Sequence, residues 1–205
     1  MKTLNIKLID QSIKCLTKKS TYKDYLNDIE NYARICFQSK GHIGLPFVKR
    51  LLVNQHESVL EHFNISFKII TDRAIANALV RHRHCAYTQE STHYIDYIKK
   101  SEVIEIIKPC HIKNKSEVDY FRSAVSSSIN NYSLVYNKFG KDTSRGLFTL
   151  CLKTELRMTT NIREWRHILK LRGSFDHPQM LFLIRLIYDW FKKELPLFVE
   201  DINVK

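Results

Sequence analysis

Apolar and polar residues alternate most clearly between residues 63 and 69. Phenylalanine and isoleucine occupy every second position there, with asparagine, serine and lysine between them. Because the side chains of a strand point alternately to opposite faces, this pattern predicts a strand with one buried face. Residues 3–9 alternate in the same way, and residues 103–107 form a mostly apolar run before Pro109, so both segments are also predicted to be strands.

Apolar residues three and four positions apart predict helices in several other segments. The predicted helices cover residues 21–37 with Thr21 as N-cap, 47–53, 72–80 with Asp72 as N-cap, 116–139 with Ser116 as N-cap, 143–152 and 180–195. In the first of these, Cys36 ends the apolar stripe, which predicts a small buried core residue.

The length and composition predict one folded domain, residues 1–205, because 44% hydrophobic residues are enough to bury a core. The five cysteines include no Cys-x-x-Cys pair, so neither a disulfide framework nor a zinc knuckle is predicted, and a reducing cytoplasm fits best. Residues 56–62 contain two histidines and two glutamates, but at neither zinc-protease spacing, so no metal site is predicted. No long uncharged apolar run occurs, so we expect neither a signal peptide nor a membrane span.

The chain is strongly basic, with 33 lysines and arginines against 21 acidic residues and a formal net charge of +12. Such a balance indicates anionic ligands. The lysines are scattered and no nucleic-acid-binding motif accompanies them, so we interpret them as solvated surface and expect no nucleic-acid partner. Small phosphorylated ligands explain the clustered arginines better. None of the five glycines forms Gly-x-Gly-x-x-Gly, which excludes a Rossmann-type dinucleotide site.

A first cluster of polar residues, 81–94, follows the helix predicted at residues 72–80. It contains two arginines on either side of His82, followed by hydroxyl and amide side chains at short spacing. This set supplies many hydrogen-bond donors and few acceptors, as the binding of a phosphate or a carbonyl-rich ring requires. On the arginines alone, a solvated basic turn is the favoured alternative.

A second cluster, residues 161–172, combines an apolar helical face with charged residues. Ile162, Trp165 and Leu169 share that face, and Arg172 continues it. An unpaired guanidinium on an apolar face would cost several kcal/mol, so Arg172 is expected to meet an anion. A structural salt bridge to Asp176 or to another carboxylate is the alternative.

Together the two clusters resemble the signatures of one enzyme family. Arg81-His82-Arg83, seven further residues and Ser91 resemble the signature of the flavin-dependent thymidylate synthases, the ThyX family, and Gln89-Glu90-Ser91-Thr92 followed by Tyr94 resembles one branch of it. Asn161-x-Arg163-x-Trp165-x-His167 followed by Leu171-Arg172 and His177-Pro178-Gln179 resembles the C-terminal signature of that family. The resemblance implies an α+β, ThyX-like fold, in which helices pack a small, mostly antiparallel sheet and a long helical region ends the chain.

The resemblance also implies a reaction and its site residues. The reaction is the reductive methylation of dUMP to dTMP, in which 5,10-methylenetetrahydrofolate gives the carbon and NADPH reduces FAD. The residues implied to bind dUMP are Arg81, Gln89, Glu90, Ser91, His93, Arg145 and Arg172, of which Arg172 is the implied catalytic residue. Those implied to bind FAD are Ser58, Glu61, Arg81, His82, Arg83, Gln89, Asn161, Arg163, His167 and His177. The active sites are implied to be shared between the subunits of a homotetramer, with no membrane partner.

The chain departs from the family pattern at several positions. His93 stands where an arginine usually holds the substrate phosphate, Ala78 replaces a polar residue, and Thr88 replaces an asparagine. A neutral histidine would hold phosphate more weakly and would make binding sensitive to pH near neutrality. These departures leave open a flavin-binding relative that has lost methylation or acts on a modified nucleotide. A basic nucleic-acid-binding module is the third interpretation.

Overall fold

The computed structural model describes residues 4–18, 21–36, 38–41, 43–100, 103–174 and 177–205. Its helices are α1 (Thr21–Ile35), α2 (Leu45–Val53), α3 (Arg73–Leu79), α4 (Tyr97–Lys100), α5 (Lys115–Phe139), α6 (Lys141–Ser144), α7 (Ile162–Gly173) and α8 (Pro178–Glu194). Its strands are β1 (Asn5–Ile9), β2 (Ser12–Cys15), β3 (Asn64–Asp72), β4 (Ala86–Gln89), β5 (Val103–Ile107) and β6 (Lys153–Asn161). Turns of 3₁₀ helix cover Ser58–His62, Arg145–Leu147 and Pro196–Phe198.

The strands form an antiparallel sheet and a parallel pair. The four-stranded sheet has the order β2-β3-β6-β4, and β1 pairs with β5 so that Asn5 lies opposite Val103. The two strands predicted from alternation are confirmed as β1 and β3, and the strand predicted from the apolar run is confirmed as β5. The α+β fold class with a small sheet is also confirmed. The sequence pattern does not predict β6, because two threonines, Thr154 and Thr160, are buried in it and interrupt the apolar alternation.

By internal packing the chain divides into two compact units. Unit 1 comprises Met1–Ser12, Ile69–Arg81 and Tyr87–Arg157, and unit 2 comprises Ile13–Lys68, His82–Ala86 and Met158–Lys205. One domain over residues 1–205 stays a prediction.

Unit 1 has its core between the parallel strand pair and the long helix α5. The buried members of this core are Leu4, Ile104, Ile106, Val125, Ile129, Tyr132 and Leu152. The N-cap of α5 is Asn114, whose Oδ1 accepts a hydrogen bond from the backbone N of Glu117 at 2.8 Å, so the prediction of Ser116 is wrong. The helix starts two residues earlier than expected because the asparagine satisfies an orphan amide there.

The helix predicted at residues 143–152 is wrong over most of its length. After α6 and the 3₁₀ turn, the backbone becomes extended at Phe148. The Phe148 ring stacks on Tyr132 with centroids 4.1 Å apart and meets Tyr97 edge-on at 5.0 Å. Packing of this partly buried ring against two tyrosines therefore overrides the local helical pattern.

Unit 2 is built around an aromatic cluster beneath α7 and α8. Phe67 of β3 meets Trp165 edge-on at 5.2 Å and Trp190 at 4.9 Å. The indole nitrogen of Trp165 donates a hydrogen bond to the carbonyl of Ile65 at 3.0 Å. The apolar face predicted for residues 161–172 is confirmed, since Ile162, Trp165 and Leu169 are all buried.

Arg166 is almost fully buried on the same helix, and its charge is compensated there. Its guanidinium pairs with Glu57 at 2.9 Å and with Asp201 at 2.7 Å, and it also donates to the carbonyl of Phe198. Burial tends to lower the pKa of Arg166, but the two carboxylates outweigh burial and raise it. The pKa of Asp201 is correspondingly lowered, to about 2, chiefly by its hydrogen bonds with Arg166.

A buried carboxylate organises the segment before α2. Glu30 of α1 accepts hydrogen bonds from the backbone N of Ile43 and of Gly44, both at 2.7 Å, and from Arg34 at 2.6 Å. Burial alone would raise the pKa of Glu30, but these donors lower it to about 2. The carboxylate therefore stays ionised and fixes the chain where it enters α2, at a glycine whose φ is 73°.

The prediction of a buried Cys36 is wrong, because α1 ends at Ile35 and both residues are exposed. The apolar stripe of α1 is buried only as far as Ala33. Phe37, at the predicted end of this helix, lies outside the described residues. Within the residues that the structure describes, no helix combines the length and the apolar character of a membrane span.

Candidate active site

His82 and Arg172 join the two polar clusters within unit 2. His82 is buried, and its Nε2 accepts a hydrogen bond from Nε of Arg172 at 3.0 Å. On the other side of the ring, Nδ1 lies 3.6 Å from Oε1 of Glu164, and the ring of His167 lies 6.2 Å away. The predicted alternative partner of Arg172, Asp176, lies outside the described residues.

The imidazole of His82 is neutral at neutral pH. Burial is the largest cause of the lowered pKa of His82, and the positive charge of Arg172 and the neighbouring His167 lower it further, to about 4. Because Arg172 donates to Nε2, the proton of the neutral ring lies on Nδ1, which faces Glu164. The contact therefore fixes both the charge and the tautomer of this histidine.

Helix α7 presents charged side chains because its opposite face is anchored in the core. Asn161 caps the helix, with Oδ1 accepting from the backbone N of Glu164 at 2.8 Å. With the apolar face of α7 buried, Arg163 and His167 project outward and are exposed. The Arg163 guanidinium forms an ion pair with Glu61, which lies on the 3₁₀ turn Ser58–His62.

A cavity of about 490 Å³ lies at this surface of unit 2. Its lining residues are Glu61, His84, Asn161, Arg163, Glu164 and His167. The structure thus brings together four of the residues implied to bind FAD, and His82 adjoins them through Glu164. Ser58, Arg83 and His177 belong to the same predicted set but are exposed and do not line this cavity.

Glu164 and His84 line the cavity although neither was among the predicted site residues. Glu164 occupies the third helical position after an asparagine cap, where a glutamate is expected for purely local reasons, so its sequence context favours a structural role. His84 follows the two arginines directly, and that proximity was the available signal. Its carbonyl accepts a hydrogen bond from Oγ1 of Thr160 at 2.6 Å, which holds the segment against β6.

The predicted nucleotide-binding residues Arg81 and Arg145 lie in unit 1 and are exposed. Within the described part of the chain, neither guanidinium has a recorded hydrogen bond or ion pair, so both can receive an anion. Arg145 opens the 3₁₀ turn that follows α6. Gln89, on β4, donates to Oγ1 of Thr154 at 3.3 Å.

Glu90 is held by neighbours of its own unit. Its carboxylate accepts from Nζ of Lys153 at 2.9 Å, from the hydroxyl of Tyr97 at 3.0 Å and from the backbone N of Glu155 at 3.1 Å. Burial would raise the pKa of Glu90, but these donors lower it. The geometry gives Glu90 a supporting role beneath the segment, whereas contact with dUMP stays a prediction.

Ser91 anchors a turn of the backbone. Its Oγ accepts from the backbone N of His93 at 3.1 Å and of Tyr94 at 3.4 Å, and its carbonyl accepts from the backbone N of Ile95 at 3.1 Å. The hydroxyl proton remains available for donation to a ligand. Because the neighbours recorded at Oγ are amides and not a base, the structure favours hydrogen bonding over nucleophilic attack by Ser91.

His82, Glu164 and His167 could each offer one ligand atom to a metal, and these atoms lie within 4.8 Å of one another. The lone pair of His82 at Nε2 is already used by Arg172. A cation would also meet the guanidinium of Arg172 and that of the nearby Arg163. The cluster is therefore better suited to an anionic ligand than to a metal.

A larger cavity of about 650 Å³ in unit 2 shares Arg163 with the candidate site. Its other charged side chains are paired, Lys49 with Glu200 at 2.6 Å and Lys170 with Asp201 at 3.0 Å. The smaller cavity is the candidate site, because Asn161, Arg163 and His167 of the second polar cluster all line it.

Comparison with known proteins gives a consistent family assignment. The family model described as thymidylate synthase complementing protein (Thy1) matches residues 18–197. The chain is 26% identical over 170 residues to the flavin-dependent thymidylate synthase of Mycolicibacterium gilvum, covering 71% of this chain and 66% of that protein. It is 31% identical over 126 residues to the flavin-dependent thymidylate synthase of Pyrococcus furiosus, covering 60% and 52%. The chain thus spans about half to two thirds of the length of these relatives.

Solved structures with the same fold include two nucleotide complexes. A UMP/dUMP methylase, PolB from Streptomyces cacaoi bound with 5-Br dUMP, matches with a TM-score of 0.75 and 15% identity, covering 96% of each chain. ThyX from Helicobacter pylori with FAD and dUMP matches with a TM-score of 0.70 and 20% identity, covering 93% of this chain and 98% of that chain. At these identities the likeness establishes the fold.

Proposed function

Because the chain belongs to the family of thymidylate synthase complementing proteins, we propose that it is a flavin-dependent thymidylate synthase. The proposed reaction is the reductive methylation of dUMP to dTMP, with 5,10-methylenetetrahydrofolate as the carbon donor and NADPH as the reductant. The names of the M. gilvum and P. furiosus relatives support this activity. The H. pylori structure, which contains FAD and dUMP, supports the cofactor and the substrate.

The observation that carries the proposal is the contact between Arg172 and His82. These residues come from two clusters separated by ninety positions, and they meet in a partly buried hydrogen bond within unit 2. Glu164, which lies 3.6 Å from His82, lines the cavity shared by Arg163 and His167. A solvated basic turn would have no need of this convergence, whereas a ligand site does.

The residues at this cavity fit an anionic dinucleotide. No glycine-rich loop is available, so side chains must hold the pyrophosphate. Arg163 and His167 are exposed donors that line the cavity, and Arg83 is a further exposed donor outside its lining. His82 is neutral and held in one tautomer, so it can orient Arg172 without adding a second positive charge. When bound, FAD would carry reducing equivalents from NADPH to the pyrimidine.

The proposed nucleotide-binding residues have two roles: some bind and position dUMP, and one stabilises negative charge on its pyrimidine ring. Arg81 and Arg145 have open guanidinium groups for the phosphate, and Ser91 can donate its hydroxyl proton. Arg172 is the proposed catalytic residue. Its guanidinium never loses its proton, so it can stabilise negative charge that develops on the pyrimidine ring.

We further propose that the enzyme is a cytoplasmic homotetramer whose active sites are shared between subunits. Unit 1 supports this with large apolar side chains that are more than half exposed. They are Tyr94, Tyr120, Phe139 and Leu150. Light scattering on the purified protein would test the oligomer, and a monomer at micromolar concentration would contradict it.

The visible spectrum of purified protein, followed by an activity assay, tests the proposed function. We expect a yellow protein that transfers the isotope-labelled methylene group of methylenetetrahydrofolate to dUMP only when NADPH is present. A colourless protein that binds oligonucleotides with steep salt dependence would instead support the nucleic-acid-binding interpretation.

A second candidate function is methylation of a different uridine nucleotide. His93, Ala78 and Thr88 depart from the family pattern around the proposed nucleotide site, and the structurally similar PolB is described as a methylase of both UMP and dUMP. Replacing dUMP by UMP in the same assay distinguishes the two. Greater turnover of UMP would favour this second function.

A further inference from the structure

Asp142 faces His93 in unit 1. Oδ1 of Asp142 lies 3.1 Å from Nδ1 of His93, and both side chains are at least half exposed. Asp142 belongs to the short helix α6, and Arg145 follows that helix directly. One turn of the chain therefore both presents Arg145 and places a carboxylate against the histidine.

This distance requires a proton on Nδ1. A carboxylate oxygen and an unprotonated imidazole nitrogen both carry lone pairs and would repel each other at 3.1 Å. If the only ring proton lies on Nδ1, then Nε2 carries a lone pair and repels a phosphate oxygen. A doubly protonated ring offers a charged N–H at Nε2 while Nδ1–H still faces Asp142.

We propose that Asp142 is a positioning residue that holds the proton on Nδ1 of His93, so that the imidazolium binds the phosphate of the nucleotide through Nε2–H. This inference rests on the proposed function, in which His93 occupies the phosphate position. Binding then takes up one proton from solvent, which goes to Nε2 of His93.

The surroundings of His93 are consistent with such an arrangement. The titratable groups recorded against its ring in the described part of the chain are Asp142 and Tyr94, whose ring centroid lies 5.0 Å away. The backbone at both His93 and Tyr94 is fixed by Oγ of Ser91. The backbone position of His93 is therefore fixed, and the contact with Asp142 orients its imidazole ring.

Two simpler roles for Asp142 predict different behaviour. A carboxylate that is merely near the site would repel phosphate, so its removal would tighten nucleotide binding. A carboxylate that only stabilises the fold would change the melting temperature, although an exposed ion pair contributes only about 0–1 kcal/mol. A positioning role instead predicts that removal of Asp142 weakens nucleotide binding. It also predicts that this weakening does not follow any change in melting temperature.

Calorimetric titration of the FAD-loaded protein with dUMP and with deoxyuridine, from about pH 6 to about pH 8, tests the inference. Asp142→Ala should weaken dUMP binding by up to about fivefold at the alkaline end, the most that an exposed ion pair contributes, and least at the acid end, where solvent protonates the ring without Asp142. Deoxyuridine, which lacks the phosphate, should bind equally to both proteins. Asp142→Glu should restore most of the dUMP affinity, and His93→Arg should bind dUMP without the pH dependence.

Asp119→Asn is the matched control, because it removes the same charge from an exposed position on α5. It should leave dUMP affinity unchanged. Unchanged or tighter dUMP binding by Asp142→Ala would overturn the inference and leave the proposed function standing. If the wild-type protein binds neither FAD nor dUMP, the proposed function and the inference fall together.

Discussion

Nε of Arg172 donates a hydrogen bond to Nε2 of His82 at 3.0 Å, so a permanently charged group is aimed by a neutral ring. Because a protonated His82 could not accept this bond, the charge state of the histidine determines whether Arg172 keeps its orientation. The pair thus couples a buried titratable group to the residue proposed to stabilise the reacting pyrimidine.

Substitution of Arg172 tests its proposed catalytic role. Arg172→Lys keeps the charge but loses the Nε donor and the planar fork, so kcat for dUMP methylation should fall by about 100-fold or more. Arg157→Lys is the control, because Arg157 is exposed on β6. Steady-state assays of both proteins measure the effect. Full activity of Arg172→Lys would remove the proposed role.

The low pKa of His82 predicts a stability change in acid. Its pKa is lowered from 6.5 to about 4, so between these values the unfolded chain binds a proton that the folded chain does not. Stability should therefore fall as pH decreases from about 6.5 to about 4, by on the order of 2 kcal/mol. Thermal melts across this range should show a smaller slope for His82→Gln. The carboxylates of Glu30 and Asp201 lose their contribution at lower pH, from their ordinary pKa values of 4.5 and 3.8 towards about 2.

Arg166 should matter for stability more than any exposed cation of the same helix. Arg166→Met leaves Glu57 and Asp201 without their buried partner and should cost about 3 kcal/mol of unfolding free energy, measured by urea denaturation. Lys170→Met removes an exposed pair with Asp201 and should cost less than about 1 kcal/mol. Equal losses for the two variants would contradict the assigned importance of burial.

Glu90 should behave as a structural carboxylate. Glu90→Gln leaves the part-buried Lys153 without a counter-charge and should destabilise the protein by about 2 kcal/mol at neutral pH. Because the pKa of Glu90 is lowered in the folded protein, its contribution is present above the ordinary carboxyl pKa and disappears as pH falls through the folded value. The difference from wild type in denaturation experiments should therefore shrink in acid. Glu105→Gln, at the exposed pair with Lys7, should have little effect at any pH.

The sequence predicts elements whose burial follows a simple period. Strict alternation identifies β3, and helical spacing identifies α7, because in both one face is uniformly apolar. It fails at β6, where buried threonines interrupt the apolar pattern, and at residues 148–152, where the Phe148 ring pulls the chain out of a helix. In both cases long-range packing decides the conformation.

The sequence predicts a site residue only where its side-chain chemistry is unusual for its position. Arg172 on an apolar helical face signals a special partner, but nothing local identifies His82 as that partner ninety residues away. The sequence likewise does not indicate a role for Asp142, because an acidic residue in a short polar helix is common. Its proximity to His93 is known only from the structure. Spatial pairing therefore supplies what the linear pattern lacks.

The carboxylate of Glu30 holds the segment before α2 by accepting hydrogen bonds from the backbone N of Ile43 and of Gly44, and the side chain of Ile43 takes no part in these bonds. A substitution at Ile43 should therefore leave the path of this bend unchanged, provided that Glu30 and Gly44 remain. The conformation of this bend therefore depends on main-chain hydrogen bonds and not on the side chain at position 43.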